Sequence, residues 1–322
     1  NFKKIGLSAL AGSLTMFSAN AVEYAVSGDA QVVYSTQDNG SNDGTASSGK
    51  GLGVDTDLYF NASGELDNGW TVSVFTALDL EQSNTATSGG INSSAQMTIG
   101  MGSMGTFQFN DISGSAANAI DDVLPKAYEE VWDGTTHGAS SHAFGSNTQS
   151  GSVDFRTPSF SIGSGVTMSA SGTYDPNAGA GPASAGGVAG SQQSGTAVTV
   201  KFVSDTGLTI GAGVGEDNGE GAADADDVTA FNVTYAMDAV SVGYSSYEVD
   251  SNAASSDTTL TAMGISYAVS DDLSVSINSS ETEIEGSVDQ EAFGISASMV
   301  VGSMTISANH NSVENIGGTA AD

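Results

Sequence analysis

The side chains of this chain that can do chemistry are overwhelmingly carboxylates: 38 Asp and Glu stand against 6 Lys and Arg and 3 His in 322 residues. Two stretches concentrate them. Asp38-Asn39-Gly40-Ser41-Asn42-Asp43-Gly44 is one, and Glu216-Asp217-Asn218-Gly219-Glu220, followed by Asp224, Asp226 and Asp227, is the other. Hard oxygen ligands in flexible loops suit Ca²⁺. Neither stretch keeps the spacing of an EF-hand or of a glycine-rich calcium repeat, so Asp38, Asp43, Glu216, Asp217 and Asp224 are weak calcium candidates. Diffuse counterion binding is the reading their spacing favours, and no other cofactor is expected. His137 and His142 stand five apart with no third ligand beside them, whereas helical zinc pairs stand three or four apart. Serine is abundant, yet no Gly-x-Ser-x-Gly elbow sits between a strand and a helix. The glycine runs lack the Gly-Lys-Ser/Thr of a phosphate loop. An enzyme is not expected.

The first residues have the grammar of an export signal. Lys3 and Lys4 form a charged start, Ile5 to Phe17 an apolar stretch, and Ala19-Asn20-Ala21 a small-residue cleavage site. The mature chain is expected to begin at Val22, with residues 1–21 as signal peptide and residues 22–322 as one domain. Only Lys50, Lys126, Arg156 and Lys201 then remain basic against all 38 acids, a net charge of −34. So negative a surface argues against nucleic acid as a partner and for attraction of cations. Cysteine is absent, which excludes disulfide staples and thiolate metal sites. No later stretch approaches the ~18 consecutive apolar residues of a spanning helix.

What must position these acids is a repeated strand. Between Tyr24 and Ser312 the sequence divides into fifteen segments of about ten residues that alternate apolar and polar side chains. The gaps between them alternate short and long. Seven are tight, at residues 67–69, 102–105, 163–165, 204–207, 237–238, 270–272 and 302–303; seven are longer, at 36–52, 81–94, 111–151, 175–195, 217–227, 250–258 and 282–290. An up-and-down barrel puts turns at one rim and loops at the other, which is this rhythm. Within a strand the two parities divide cleanly. Val72, Val74 and Leu78 oppose Thr71, Ser73 and Asp79; Phe293, Ile295, Ala297 and Met299 oppose Gly294, Ser296 and Ser298. Tyr24, Tyr34, Trp70, Tyr174, Tyr235, Tyr247 and Tyr267 lie near strand ends, where aromatic girdles meet the bilayer interfaces. The third long gap, residues 111–151, exceeds the ~15 residues common for a structureless loop. It carries apolar anchors, Leu124, Val131 and Trp132, and the spacing from Pro125 allows a short helix over Ala127 to Trp132. It is expected to fold back inside.

The chain resembles the general porins of Gram-negative outer membranes. The resemblance rests on the signal, on the first strand Glu23-Tyr24-Ala25-Val26-Ser27-Gly28-Asp29-Ala30, on the third loop, and on Ser152-Val153-Asp154-Phe155-Arg156-Thr157-Pro158-Ser159-Phe160 after it. It implies an all-β, transmembrane, up-and-down antiparallel barrel of sixteen strands, a third loop that enters the lumen as the constriction, and a homotrimer in the outer membrane. A closed barrel normally has an even strand count, so with fifteen segments the C-terminal strand is expected to be missing.

On that resemblance the pore would be lined by loop-three residues Asp111, Asp121, Asp122, Lys126, Glu129, Glu130 and Asp133, facing wall residues Asp55, Asp57, Asp79, Asp154, Arg156 and Lys201. Many porins set an arginine cluster on the wall, and here little stands beyond Arg156 and Lys201. Carboxylate rings favour cations. The expected function is a water-filled, cation-preferring passive diffusion channel for small hydrophilic solutes. A secreted or surface-anchored acidic β-protein, of adhesin or surface-layer type, is the alternative. A substrate-specific channel with Trp132 as a sugar slide is a third reading.

Overall fold

The computed structural model describes residues 22–37, 49–80, 92–111, 114–120, 123–132, 151–176, 194–217, 226–251 and 257–320. Sixteen strands account for nearly all of them. The first five are β1 (Glu23–Gln37), β2 (Gly49–Glu65), β3 (Thr71–Asp79), β4 (Asn92–Gly100) and β5 (Thr106–Asp111). The third loop leads to β6 (Val153–Arg156), β7 (Phe160–Gly163), β8 (Val166–Asp175), β9 (Gly195–Ser204) and β10 (Leu208–Asp217). The series ends with β11 (Asp226–Met237), β12 (Val240–Asp250), β13 (Thr258–Ser270), β14 (Leu273–Ile284), β15 (Gln290–Val301) and β16 (Met304–Glu314). Every strand pairs antiparallel with its sequence neighbour, except that β6 and β7 both pair with β8.

Those two are halves of one stave, broken at Thr157-Pro158-Ser159. Proline has no N–H to give a ladder and is confined to sheet edges and irregularities. The break is bridged locally: the Thr157 N–H donates to the Ala170 carbonyl, and the Ala170 N–H donates to the Thr157 hydroxyl, each at 2.9 Å. Fifteen staves therefore stand side by side, as the alternating segments predict. All seven tight turns fall where the sequence places them. They are built from residues that tolerate the left-handed region, such as Gly163-Ser164-Gly165, with φ of 100°, 53° and 73°.

The sheet is curled, and the third loop proves it. Gln31 on β1 donates to the Tyr128 hydroxyl at 3.3 Å, while the neighbouring Ala127 N–H donates to Ser276 Oγ on β14 at 2.9 Å. Strands from opposite ends of the sheet order thus meet adjacent residues of one loop. In the described residues β1 pairs only with β2 and β16 only with β15, so the cylinder is not closed by a β1–β16 ladder.

Directly opposed residues in an antiparallel ladder share a face. Gln31 opposes Asp55, Asp57 opposes Asp79, Gln108 opposes Asp154, Lys201 opposes Gly211, Asn232 opposes Ser245 and Asn278 opposes Gly294. Followed strand by strand, this parity lines the concave face. The other parity carries Val32, Val54, Val74, Met97, Phe109, Val198, Phe231, Met263, Ile277, Phe293 and Ile295, all exposed on the convex side. An outward apolar belt over a polar interior is the inverse of a water-soluble sandwich and fits hydrocarbon. Among the described residues no helix is long and apolar enough to cross a membrane, so the strands are what can span one.

One expectation needs correction. Tyr247 is not part of an outer girdle: it opposes Leu260 on the inner face, is 2% exposed, and donates to the Ile120 carbonyl at 3.2 Å. The loop does fold back inside on its apolar anchors: Leu124, Val131 and Trp132, with Ala117 and Ile120, cluster with Val228, Ala230, Tyr247, Leu260, Ala262 and Ala292 of the inner wall.

The parity assignment sets a contrast at mid-strand β15. Ile295→Arg, facing outward, should lower barrel stability in lipid by about 2–4 kcal/mol, whereas Ser296→Arg one residue on should cost far less. Urea unfolding in vesicles, followed by the loss of heat-modifiable gel migration, measures both.

Candidate functional site: the lumen at loop three

Loop three enters the lumen at a glycine. Gly114 has φ of 96°, and a side chain there would run into Gln96. Its carbonyl accepts from Gln108 Nε2 and from Arg156 Nη2, each at 2.8 Å. Arg156 also pairs with Asp154 Oδ2 at 2.7 Å. Asp154 is fully buried and takes three more donors: the Ala116 N–H at 2.8 Å, Asn110 Nδ2 at 3.0 Å and the Thr173 hydroxyl at 2.6 Å. A carboxylate that accepts this many hydrogen bonds is compensated for its desolvation.

The loop then crosses to the far wall. A 3₁₀ turn at Asn118–Ile120 presents the Ile120 carbonyl to Asn232 Nδ2, at 3.3 Å, and to Tyr247. The Pro125 carbonyl accepts from Asn278 Nδ2 at 3.1 Å. Close approach is bought with glycine: a Cβ on Gly243 would stand 2.5 Å from Pro125 Cδ, and one on Gly294 3.0 Å from Val131 Cγ2. No helix forms over Ala127 to Trp132. The segment is instead fixed to the wall in a non-helical path, its Pro125 carbonyl bonded by Asn278 and its Ala127 N–H bonded to Ser276.

The predicted constriction residues separate accordingly. Lys126 bonds Glu130 and lies 4.0 Å from Glu129, and its side chain is partly exposed. Glu129 is partly exposed, but Glu130 is fully buried, turned from the water path into the packed layer. Asp111 closes β5 opposite Ala95, on the parity of the outward-facing Phe107 and Phe109. Asp121, Asp122 and Asp133 lie outside the described residues, as do His137, His142, Asp38, Asp43, Asp224 and residues 1–21. Trp132 is 4% exposed within the loop-wall cluster, which removes it as a slide for sugars.

On the wall, Asp55, Asp57, Asp79, Arg156 and Lys201 all take the inward parity. Asp154 shares it but is sealed beneath the loop. Carboxylate oxygens of Asp55, Asp57 and Asp79 lie within 4.8 Å of one another. Asp29, which opposes Asp57, joins them through Tyr59, whose hydroxyl bonds Asp29 Oδ2 at 3.0 Å and Asp57 Oδ2 at 3.2 Å. Tyr59 in turn stacks on Phe75, ring centroids 6.0 Å apart. Sequence reasoning missed Asp29 as a wall acid, although its parity with Gln31 was readable once register was known. Glu216 lies on the outward parity of β10, opposite Asp227, and of Asp217 only the backbone is described.

The lumen therefore divides in two: a dry side where loop three is glued to β11–β15, and an open acidic side on β1–β3 that Tyr128 borders. The sequence model of the Gram-negative porins matches residues 6–322. The chain belongs to the Gram-negative porin family. The solved structures it is similar to agree in fold. An anion-selective porin from Comamonas acidovorans superposes with a TM-score of 0.61 at 13% identity, over 92% of this chain and 89% of that one. Salmonella typhi OmpF, in complex with daunomycin, gives 0.62 at 12%, over 91% and 90%. Vibrio cholerae OmpT lacking its loop L8 gives 0.59 at 16%, over 92% and 94%. No match is found among curated proteins. This porin is thus an outer-membrane channel, and the reading as a water-soluble acidic β-protein falls with the outward apolar belt.

The wall glycines make the docking of loop three testable. Gly243→Val should push Pro125 off the wall and expose Trp132, shifting its emission to longer wavelength. With Trp70→Phe as background, Trp132 is the only tryptophan left to report.

Proposed function

We propose that this porin is a cation-preferring, otherwise unselective diffusion pore for small hydrophilic solutes. The observation that carries the reading is the gathering of acids on one stretch of the lumen wall. Asp29, Asp55, Asp57 and Asp79 share the inner face of β1–β3, while the loop and wall cations Lys126 and Arg156 lie in ion pairs with Glu130 and Asp154. Among the described residues Lys201 adds a positive charge on the inner face of β9. Within a narrow water path of low-dielectric walls such fields are focused, and they raise the local concentration of counterions. The anion-selective relative from Comamonas acidovorans has the same fold, so ion preference is a matter of side chains here. Calcium enters this reading as diffuse counterion at the long loops rather than at a dedicated site.

Further parts of the reading concern assembly. We propose export through cleavage after Ala21, a homotrimer in the outer membrane, and one antiparallel stave between β16 and β1. With fifteen staves, β1 and β16 run in the same direction, so a single added strand is antiparallel to both and completes the cylinder. Mass spectrometry of the protein from outer membranes tests the first, and gel migration before and after boiling tests the second.

The decisive experiment is a reversal potential across a planar bilayer in a tenfold KCl gradient. The wild-type channel should pass K⁺ in preference to Cl⁻, and Asp55→Asn/Asp57→Asn/Asp79→Asn should move the potential toward zero. An anion preference in the wild type overturns the proposal.

A further inference from the structure

Loop three is held at two places of different chemistry. On the far wall the grip is spread over many groups, the apolar cluster and the neutral hydrogen bonds from Asn232, Tyr247, Asn278 and Ser276. At the root it converges on one buried carboxylate. Asp154 takes the Ala116 N–H of the loop, and Arg156 links the same carboxylate to the Gly114 carbonyl two residues earlier. A donor and an acceptor of the loop backbone are thus both answered by one ion pair on β6. Thr173 on β8 and Asn110 on β5 fix the carboxylate from either side.

We propose that Asp154, with Arg156, is the positioning clamp of loop three: it lines no part of the water path, but sets how far the loop stands from its wall and hence the width of the channel. The physical reason is the asymmetry of a buried charge pair. Losing one partner leaves the other uncompensated, so the root releases as a unit, whereas the distributed far grip yields gradually. This concerns pore width and is independent of the proposed ion preference.

The chain contains no cysteine, so a single one reports locally. Ser115, 2% exposed and adjacent to Ala116, can be replaced near-isosterically by Ser115→Cys. In that background the thiol should react slowly with a water-soluble maleimide. Adding Asp154→Ala should raise the labelling rate at least tenfold and change single-channel conductance and open-channel noise, in a barrel that remains heat-modifiable on gels. If Asp154→Ala does not assemble, Arg156→Met carries the test: its partly exposed side chain is easier to lose, and a threefold rise in labelling is expected. An unchanged labelling rate in whichever of these variants assembles overturns the clamp.

Discussion

Hydrocarbon offers no hydrogen bonds, and this one constraint organises the molecule. Every backbone N–H and C=O at membrane depth must be paired within the protein, which leaves ladders between neighbouring staves as the solution where the described residues form no spanning helix. Once ladders are obligatory, side-chain direction follows from the pleat, and a residue's parity decides whether it meets lipid or lumen. Charge on the outward parity is costly at mid-depth, so the strand acids of that region, Asp29, Asp55, Asp57 and Asp79, collect on the other face. The acidic lumen is thus a consequence of how the wall is made as well as of the chain's composition.

Much of this was legible in the sequence, and the reasons are specific. Alternation is a period-two signal written into each strand, and turn glycines such as Gly163 and Gly165 mark the tight rim, so staves, turns and facing parity could be read locally. Asp57 and Asp79 fall side by side in the ladder because each already had the polar parity of its own strand. What could not be read was contact between strands far apart in sequence. The loop's backbone is bonded by Asn232, Tyr247, Ser276 and Asn278, which lie 112 to 153 residues from their partners. Nothing in the loop's own residues announces those partners.

Two expectations for the loop fail for one cause. A helix over Ala127 to Trp132 and a slide made of Trp132 both treat the loop as a free segment whose polar groups face water. The loop instead docks as a second layer against the wall, and docking reassigns its groups. Trp132 is taken up by packing and Glu130 by Lys126. The inner wall was adapted to receive it, with Leu260, Ala262 and Ala292 at positions where a wholly wet lumen would carry hydroxyls.

A pore built this way has a fixed side and an adjustable side. The β1–β3 wall carries its charges on strands whose geometry is set by continuous ladders, so the acidic face is rigid. The opposite bank is a loop, and its place depends on side-chain bonds and apolar contact, both weaker per residue than a ladder and both alterable by single substitutions. The two banks therefore draw on different residues: Asp29, Asp55, Asp57 and Asp79 stand on ladder-paired strands, while the loop rests on Asp154, Asn232, Tyr247, Ser276 and Asn278. Because the two sets do not overlap, a side chain on the acidic bank can be exchanged without touching a group that docks the loop.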